Sequence, residues 1–188
     1  MQRWLAEHWV AGAVFMAGLQ IALLPMLWNA WSLPVLLIYL HGPAYMIHQV
    51  EEHWDDRFRQ FANSKMFGGR EVLTTKGVLW VNLPGVWGVN LLALLAAERI
   101  GARLGLAAAY LVLINAAGHL VMAVRSRRPN PGVWTALGLF LPLGSVSVLT
   151  IHASFSHHLL GLAIGGGLHA VIILGCARRD AAIASGTL

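Results

Sequence analysis

The run His48-Gln49-Val50-Glu51-Glu52 holds the residues of this chain best suited to chemistry. On a helix, spacings of three and four residues bring both carboxylates beside the imidazole on one face. His41 lies two turns upstream on the same stripe. Asn115 and His119 are again four apart, and His169 precedes the basic pair Arg178-Arg179. Imidazole and carboxylate from His48, Glu52, His119 and His169 make a ligand set suited to zinc or non-haem iron. One glutamate, Glu51 or Glu52, would then serve as general base for a bound water. His41, Asn115 and Asn82 are expected to line the substrate space or to orient the ligands.

These residues need elements to position them, and the composition says which. The chain has 188 residues, 57% apolar and 11% charged, with eight tryptophans. Soluble domains are typically about 25% charged, so an ordinary soluble enzyme and a disordered chain are both excluded. Cys176 is the single cysteine, which excludes an intramolecular disulfide. The reading is an all-α, polytopic membrane helical bundle in a single domain covering 1–188. About six spans are expected, at 10–28, 31–50, 78–97, 104–124, 133–151 and 157–176, each near the 20 residues needed to cross hydrocarbon. The first run is too long for a secretory h-region and no cleavage site follows it, so it reads as a retained span.

Charge orients the set, because short loops rich in Lys and Arg stay cytoplasmic. Arg3, Arg57, Arg59, Lys65, Arg70, Lys76, Arg125, Arg127, Arg128, Arg178 and Arg179 fall on one side, and Arg99 and Arg103 on the other. Both termini are therefore expected to be cytoplasmic, in a multi-pass protein of the cell inner membrane. The net charge of +5 then serves topology and headgroup contact, and no nucleic-acid partner is expected.

An intramembrane histidine must be paired, ligated or hydrated. The second, fourth and sixth spans run in the same direction and deliver His48, Glu51, Glu52, Asn115, His119 and His169 to one depth near the cytoplasmic face. His8, His152, His157 and His158 fall at the interfaces. Pro43 should kink or break the second span just after His41-Gly42, and Pro84-Gly85 should kink the third between Asn82 and Asn90. Gly161 and Gly165 form a GxxxG pair that allows close helix approach. Trp9, Trp28, Trp31, Trp54 and Trp134 fit an aromatic belt. The connection 53–77 is cytoplasmic, and Phe58 and Phe61 within it suit either an interfacial helix or a continuation of the second helix.

The His48-Gln49-Val50-Glu51-Glu52 run resembles the motif of the HXXEE family of bacterial membrane proteins of unknown function. Asn115-Ala116-Ala117-Gly118-His119 and the last-span histidine are also similar to that family's inward polar residues. The resemblance implies that the His-Glu-Glu cluster is the family's hallmark, and it implies no reaction.

Three chemical readings follow. One is a metal-dependent intramembrane enzyme, a hydrolase or oxidase of a lipid or isoprenoid-like substrate. Another is a metal-free glutamate and histidine hydrolase, similar in kind to CAAX-type intramembrane proteases. That pattern departs here: Arg57 follows the glutamates one residue late, and Asn115-x-x-x-His119 reverses the order. The third is a small transporter or binding protein coupled to a proton or cation. A buried network that only fixes helix packing is the structural alternative. Glu51 and Glu52 could also face the cytoplasm and balance Arg57 or Arg59. Oligomeric state is not legible in the sequence.

Overall fold

The computed structural model describes the backbone of residues 2–188 and the side chains from Trp4 onward. The side chain of Arg3, one of the basic residues that sets the expected topology, lies outside the described residues. Among the described residues the regular structure is entirely helical. The long helices are α1 (Gln2–Leu27) and α2 (Leu33–His53), then α4 (Thr75–Arg99), α5 (Ala102–Ser126), α6 (Val133–Thr150) and α7 (Phe155–Ala184). The short α3 (Arg57–Phe61) lies in the connection between α2 and α4 and continues into a π turn at Ala62–Met66.

Five of these helices are long and apolar enough to cross a membrane: α1, beginning that stretch at Trp4, and α4 to α7. The sixth expected span, α2, does not meet that standard because it carries His41, His48, Gln49, Glu51 and Glu52. Its place in the bundle accounts for this. Fourteen of its 21 residues are buried, and it packs on α1, α4, α5 and α6. By contrast only 11% of the apolar stretch of α1, and of α7, is buried. The outer helices show large apolar side chains such as Phe15, Leu19, Val171 and Ile173. The bundle thus places its polar helix at the centre and its most apolar helices outside, as a hydrocarbon solvent requires.

The core is layered. At one end Ile38, Leu106, Ala97, Ala107 and Ile151 pack together. Nearer the site, Tyr45, Val86, Leu111, Val112 and Phe140 form the second layer. α5 and α7 touch along the GxxxG pair, where a Cβ at Gly161 would lie 2.8 Å from Tyr110 Cδ2 and one at Gly165 would lie 2.8 Å from Leu111 N. Only glycine permits that approach, and it fixes α5 and α7 as parallel neighbours.

Several expectations need correction. Pro43 does not interrupt α2, which is helical throughout. A missing N–H is one lost bond, and packing on four helices holds the segment together. Pro84, in contrast, sits in a π turn at Val81–Trp87, and a second π turn at Ala136–Phe140 precedes Pro142. Widening the turn relieves the clash of the proline ring with the preceding carbonyl. Trp9, expected in the aromatic belt, does not face outward: it is buried and packs its ring 5.1 Å from that of His53. α7 runs on to Ala184, so the basic pair Arg178-Arg179 rides on a helix.

Candidate metal centre

The end of α2, the second half of α5 and the start of α6 meet at one end of the bundle. His48 and Glu52, four residues apart on α2, face His119 of α5. His48 Nε2 lies 3.5 Å from Glu52 Oε2, and His119 Nε2 lies 3.6 Å from Glu52 Oε1. One ligand atom from each of the three residues falls within 4.8 Å of the other two, and all three residues are buried. Three of the expected ligands are therefore brought together, from helices far apart in sequence.

Their far ring nitrogens are held in place. The Thr135 hydroxyl donates to Glu51 Oε2 at 2.6 Å, so its oxygen accepts the His48 Nδ1 proton at 2.8 Å. Asn130 Nδ2 donates to the His119 carbonyl at 2.8 Å, which turns Asn130 Oδ1 toward His119 Nδ1 as an acceptor at 2.6 Å. Both imidazoles thus keep a proton on Nδ1 and turn Nε2 inward to the Glu52 carboxylate, which a neutral ring would face with its lone pair. Partners of this kind orient metal-ligating histidines. His48 Nε2 is buried without a hydrogen-bond partner. Leaving an acceptor in that state costs about 1–3 kcal/mol, and a cation taking the lone pair removes the cost.

Glu51 does not join the group. Its carboxylate accepts from Thr135 N at 2.7 Å and Trp134 N at 3.2 Å. These are unpaired amides of the first turn of α6, where a negative charge is favoured. Glu51 therefore ties α2 to α6 and, through the Thr135 hydroxyl, steadies His48. Glu51, expected as a candidate catalytic base, is thus placed at this junction, where its oxygens take three hydrogen bonds, and not among the three clustered residues. A one-residue step turns a helical side chain by about 100°, which separates the roles of Glu51 and Glu52.

The turn between α5 and α6 closes the site from above. Asn130 stands between Pro129 and Pro131 and is buried. Gly132 follows at φ +97°, and a Cβ there would lie 2.6 Å from His119 Cε1 and 2.8 Å from His48 Cε1. A side chain would therefore occupy the space in which the two rings meet. The Phe140 ring covers His48 with 4.3 Å between centroids, and Phe58 of α3 lies 5.8 Å from His119.

His53 approaches the same carboxylate from the other side, with Nε2 3.1 Å from Glu52 Oε2. A directed chain reaches it. The Trp87 indole donates to Gln49 Oε1 at 2.8 Å, Gln49 Nε2 donates to Asn82 Oδ1 at 2.8 Å, and Asn82 Nδ2 faces His53 Nε2 at 3.2 Å. Indole only donates, so the direction is set and Asn82 is the donor to His53. Asn82, expected beside the site, lines the cavity and meets His53, which was expected only as the start of a loop. His53, Gln49, Thr135, Asn130 and Gly132 were all missed. Only His53, the residue directly after the paired glutamates, carried a usable signal.

Beside the cluster lies a cavity of about 440 Å³, whose wall includes Glu52, His53, Asn82, Asn115, His119 and His169. His169, expected as a fourth ligand, is not in the group of three. Its Nδ1 donates back to the Gly165 carbonyl one turn earlier, at 2.8 Å, and the ring lines the cavity. His41 is also apart: it is fully buried and its Nε2 meets Ser147 Oγ at 3.0 Å. Asn115 lines the cavity, with Oδ1 buried and unpartnered.

No curated protein and no solved structure matches the chain. The family model for proteins of unknown function with an HXXEE motif matches residues 39–147. That stretch holds His48, Glu51, Glu52, His119 and the Asn130–Thr135 turn, so the chain belongs to the HXXEE-motif family.

Proposed function

We propose that this protein is a metal-dependent membrane enzyme, a zinc hydrolase of a lipid-like substrate, with His48, Glu52 and His119 as the metal ligands. The observation that carries the reading is the convergence of two oriented Nε2 lone pairs on one buried carboxylate at the wall of a largely apolar cavity. Zinc bonds of about 2.1 Å at tetrahedral angles separate ligand atoms by about 3.4 Å. The 3.5 and 3.6 Å separations run to the two different oxygens of Glu52, and one ligand atom from each residue lies within 4.8 Å of the other two, so the three residues would draw in to reach that edge. Two histidines and one glutamate are also a ligand set of catalytic zinc, which keeps a further position open.

When bound, zinc supplies Lewis acidity and a water that ionises near neutral pH. The chain's own residues do the rest. Thr135 and Asn130 hold the imidazoles, and Glu51 holds Thr135. His53, which lines the cavity, is the group assigned to accept a proton in place of Glu51: its Nε2 would exchange the Asn82 N–H for that proton, and Glu52 Oε2 at 3.1 Å would stabilise the imidazolium formed. The basic residues Arg57, Arg59, Arg70, Arg127, Arg128 and Arg178 belong to the segments at this end of the bundle, which we assign to the cytoplasmic side of the inner membrane.

Elemental analysis of the detergent-purified protein, freed of affinity tags, tests the proposal. About one equivalent of zinc in the wild type, lost in His119→Ala, is expected. One or two equivalents of iron would replace the hydrolase with an oxidase. No metal in either protein after reconstitution would overturn the reading.

A further inference from the structure

The cavity beside the cluster has a polarity pattern that selects among lipid-like molecules. Its apolar wall includes Val81, Val86, Met122, Leu168, Ile172 and Ile173. Of the polar residues on that wall, which also include Tyr45, His53 and Asn82, Asn115 and His169 stand on the neighbouring helices α5 and α7. Asn115 Oδ1 is a buried acceptor with no partner. His169 gives its Nδ1 proton to the Gly165 carbonyl, so the neutral ring offers Nε2 as a second acceptor. The contact of Gly165 with Leu111 fixes the register of α5 and α7. One turn further along each helix come Asn115 and His169, at the same level. Asn115 Oδ1 therefore lacks a donor, and an unpaired buried acceptor is costly until one arrives. No Lys or Arg is among the residues lining the cavity, and its one carboxylate is that of Glu52.

From this pattern we infer that the cavity binds a single-chain amphiphile with a neutral, hydrogen-bond-donating head, such as a long-chain or isoprenoid alcohol. Its chain lies along the α4 and α7 walls, and its hydroxyl donates to Asn115 Oδ1 or His169 Nε2. Asn115 is the specificity-determining residue. It rewards a donor, and replacing the donor by an ether leaves its oxygen unpaired, a loss that strongly discriminates between otherwise similar ligands. In the metal-free protein a fatty-acid carboxylate is disfavoured, because it brings two acceptors and a negative charge toward Glu52. The inference rests on the cavity being the site of the proposed hydrolase, where water cleaving an ester of such an alcohol would release the alcohol and the acid, but the binding itself needs no metal.

The chain carries its own reporter of occupancy. Cys176 is the single cysteine and lines the same cavity. The test is the rate of Cys176 alkylation by N-ethylmaleimide in detergent-solubilised full-length protein, metal-free and zinc-loaded. The probes are 1-hexadecanol, hexadecyl methyl ether and palmitate. At concentrations where the alcohol slows labelling about tenfold, the ether in both forms and palmitate in the metal-free protein are expected to slow it less than about twofold. Asn115→Leu should reduce the alcohol's protection to that of the ether. Met122→Trp, which fills the apolar wall without touching the acceptors, should weaken protection by every probe. Equal protection by alcohol and ether, or none by any probe, would overturn the inference. Protection with the expected order in a protein that binds no zinc would keep this inference and refute the metal reading. Zinc binding without selective protection would do the reverse.

Discussion

Gly132→Ala is the substitution whose consequence the geometry fixes most sharply. The residue sits at φ +97°, and the added methyl would lie 2.6 Å from His119 Cε1, 2.8 Å from His48 Cε1 and 3.1 Å from His119 Nε2. An L-residue in left-handed backbone costs roughly 1–2 kcal/mol. Carbon contacts settle near 3.5–4.0 Å, so each ring must retreat by nearly 1 Å or the turn must lift. Either movement breaks the convergence of the two Nε2 atoms on Glu52. Loss of an orienting partner alone typically costs 10–100-fold in metal affinity. Displacing both ligands at once should cost at least about 100-fold. The assay is competitive zinc titration of purified protein against a chromophoric chelator, with thermal unfolding followed in parallel. Gly118→Ala is the control: Gly118 adjoins His119 in sequence, yet an added Cβ meets nothing within 4 Å, and it should bind as the wild type does. A Gly132→Ala protein that binds zinc with unchanged affinity would refute the placement of the site between these rings.

Other outcomes follow from the same contacts. Thr135→Val removes the acceptor for His48 Nδ1 and should weaken zinc binding 10–100-fold in the same titration, whereas Thr135→Ser should retain it. His169→Ala should leave the metal content unchanged by elemental analysis, because its ring is bonded to Gly165 and stands outside the ligand group. Arg70 pairs with Asp180 at 2.7 Å and Arg179 donates to the Glu71 carbonyl at 3.1 Å. These contacts clasp the α3–α4 connection onto α7 over the cavity. Arg70→Ala should leave the unfolding temperature unchanged, since exposed ion pairs contribute little, but should speed alkylation of Cys176 several-fold.

The clustering of His48, Glu52 and His119 was legible in the sequence for a simple reason. His48 and Glu52 share a helical face by spacing, and the alternation of spans fixes the depth of His119. What the sequence did not show is side-chain direction and the work of loops. His169 has the right depth, yet its ring is drawn back to a carbonyl of its own helix, a choice between rotamers that spacing does not record. Glu51 and Glu52 differ by one step along α2, and only the position of α6 shows that the first meets backbone amides and the second meets imidazoles. Asn130 and Gly132 lie in a turn of prolines and arginines that reads as a connection, although it supplies the roof of the site. The polar character of α2 gave the site away while hiding how thoroughly the helix is enclosed. The helix does not break at Pro43, because local propensity was outweighed by packing on four neighbours, whereas Pro84 did distort its helix.

The most direct test is the X-ray absorption spectrum of the zinc-loaded wild-type protein at one equivalent of metal. Two imidazoles at about 2.0–2.1 Å and carboxylate or water oxygen at about 2.0–2.2 Å are predicted, with one imidazole lost in His119→Ala. A sulfur shell near 2.3 Å, which only Cys176 or a methionine could supply, or a spectrum without imidazole scattering, would contradict the account.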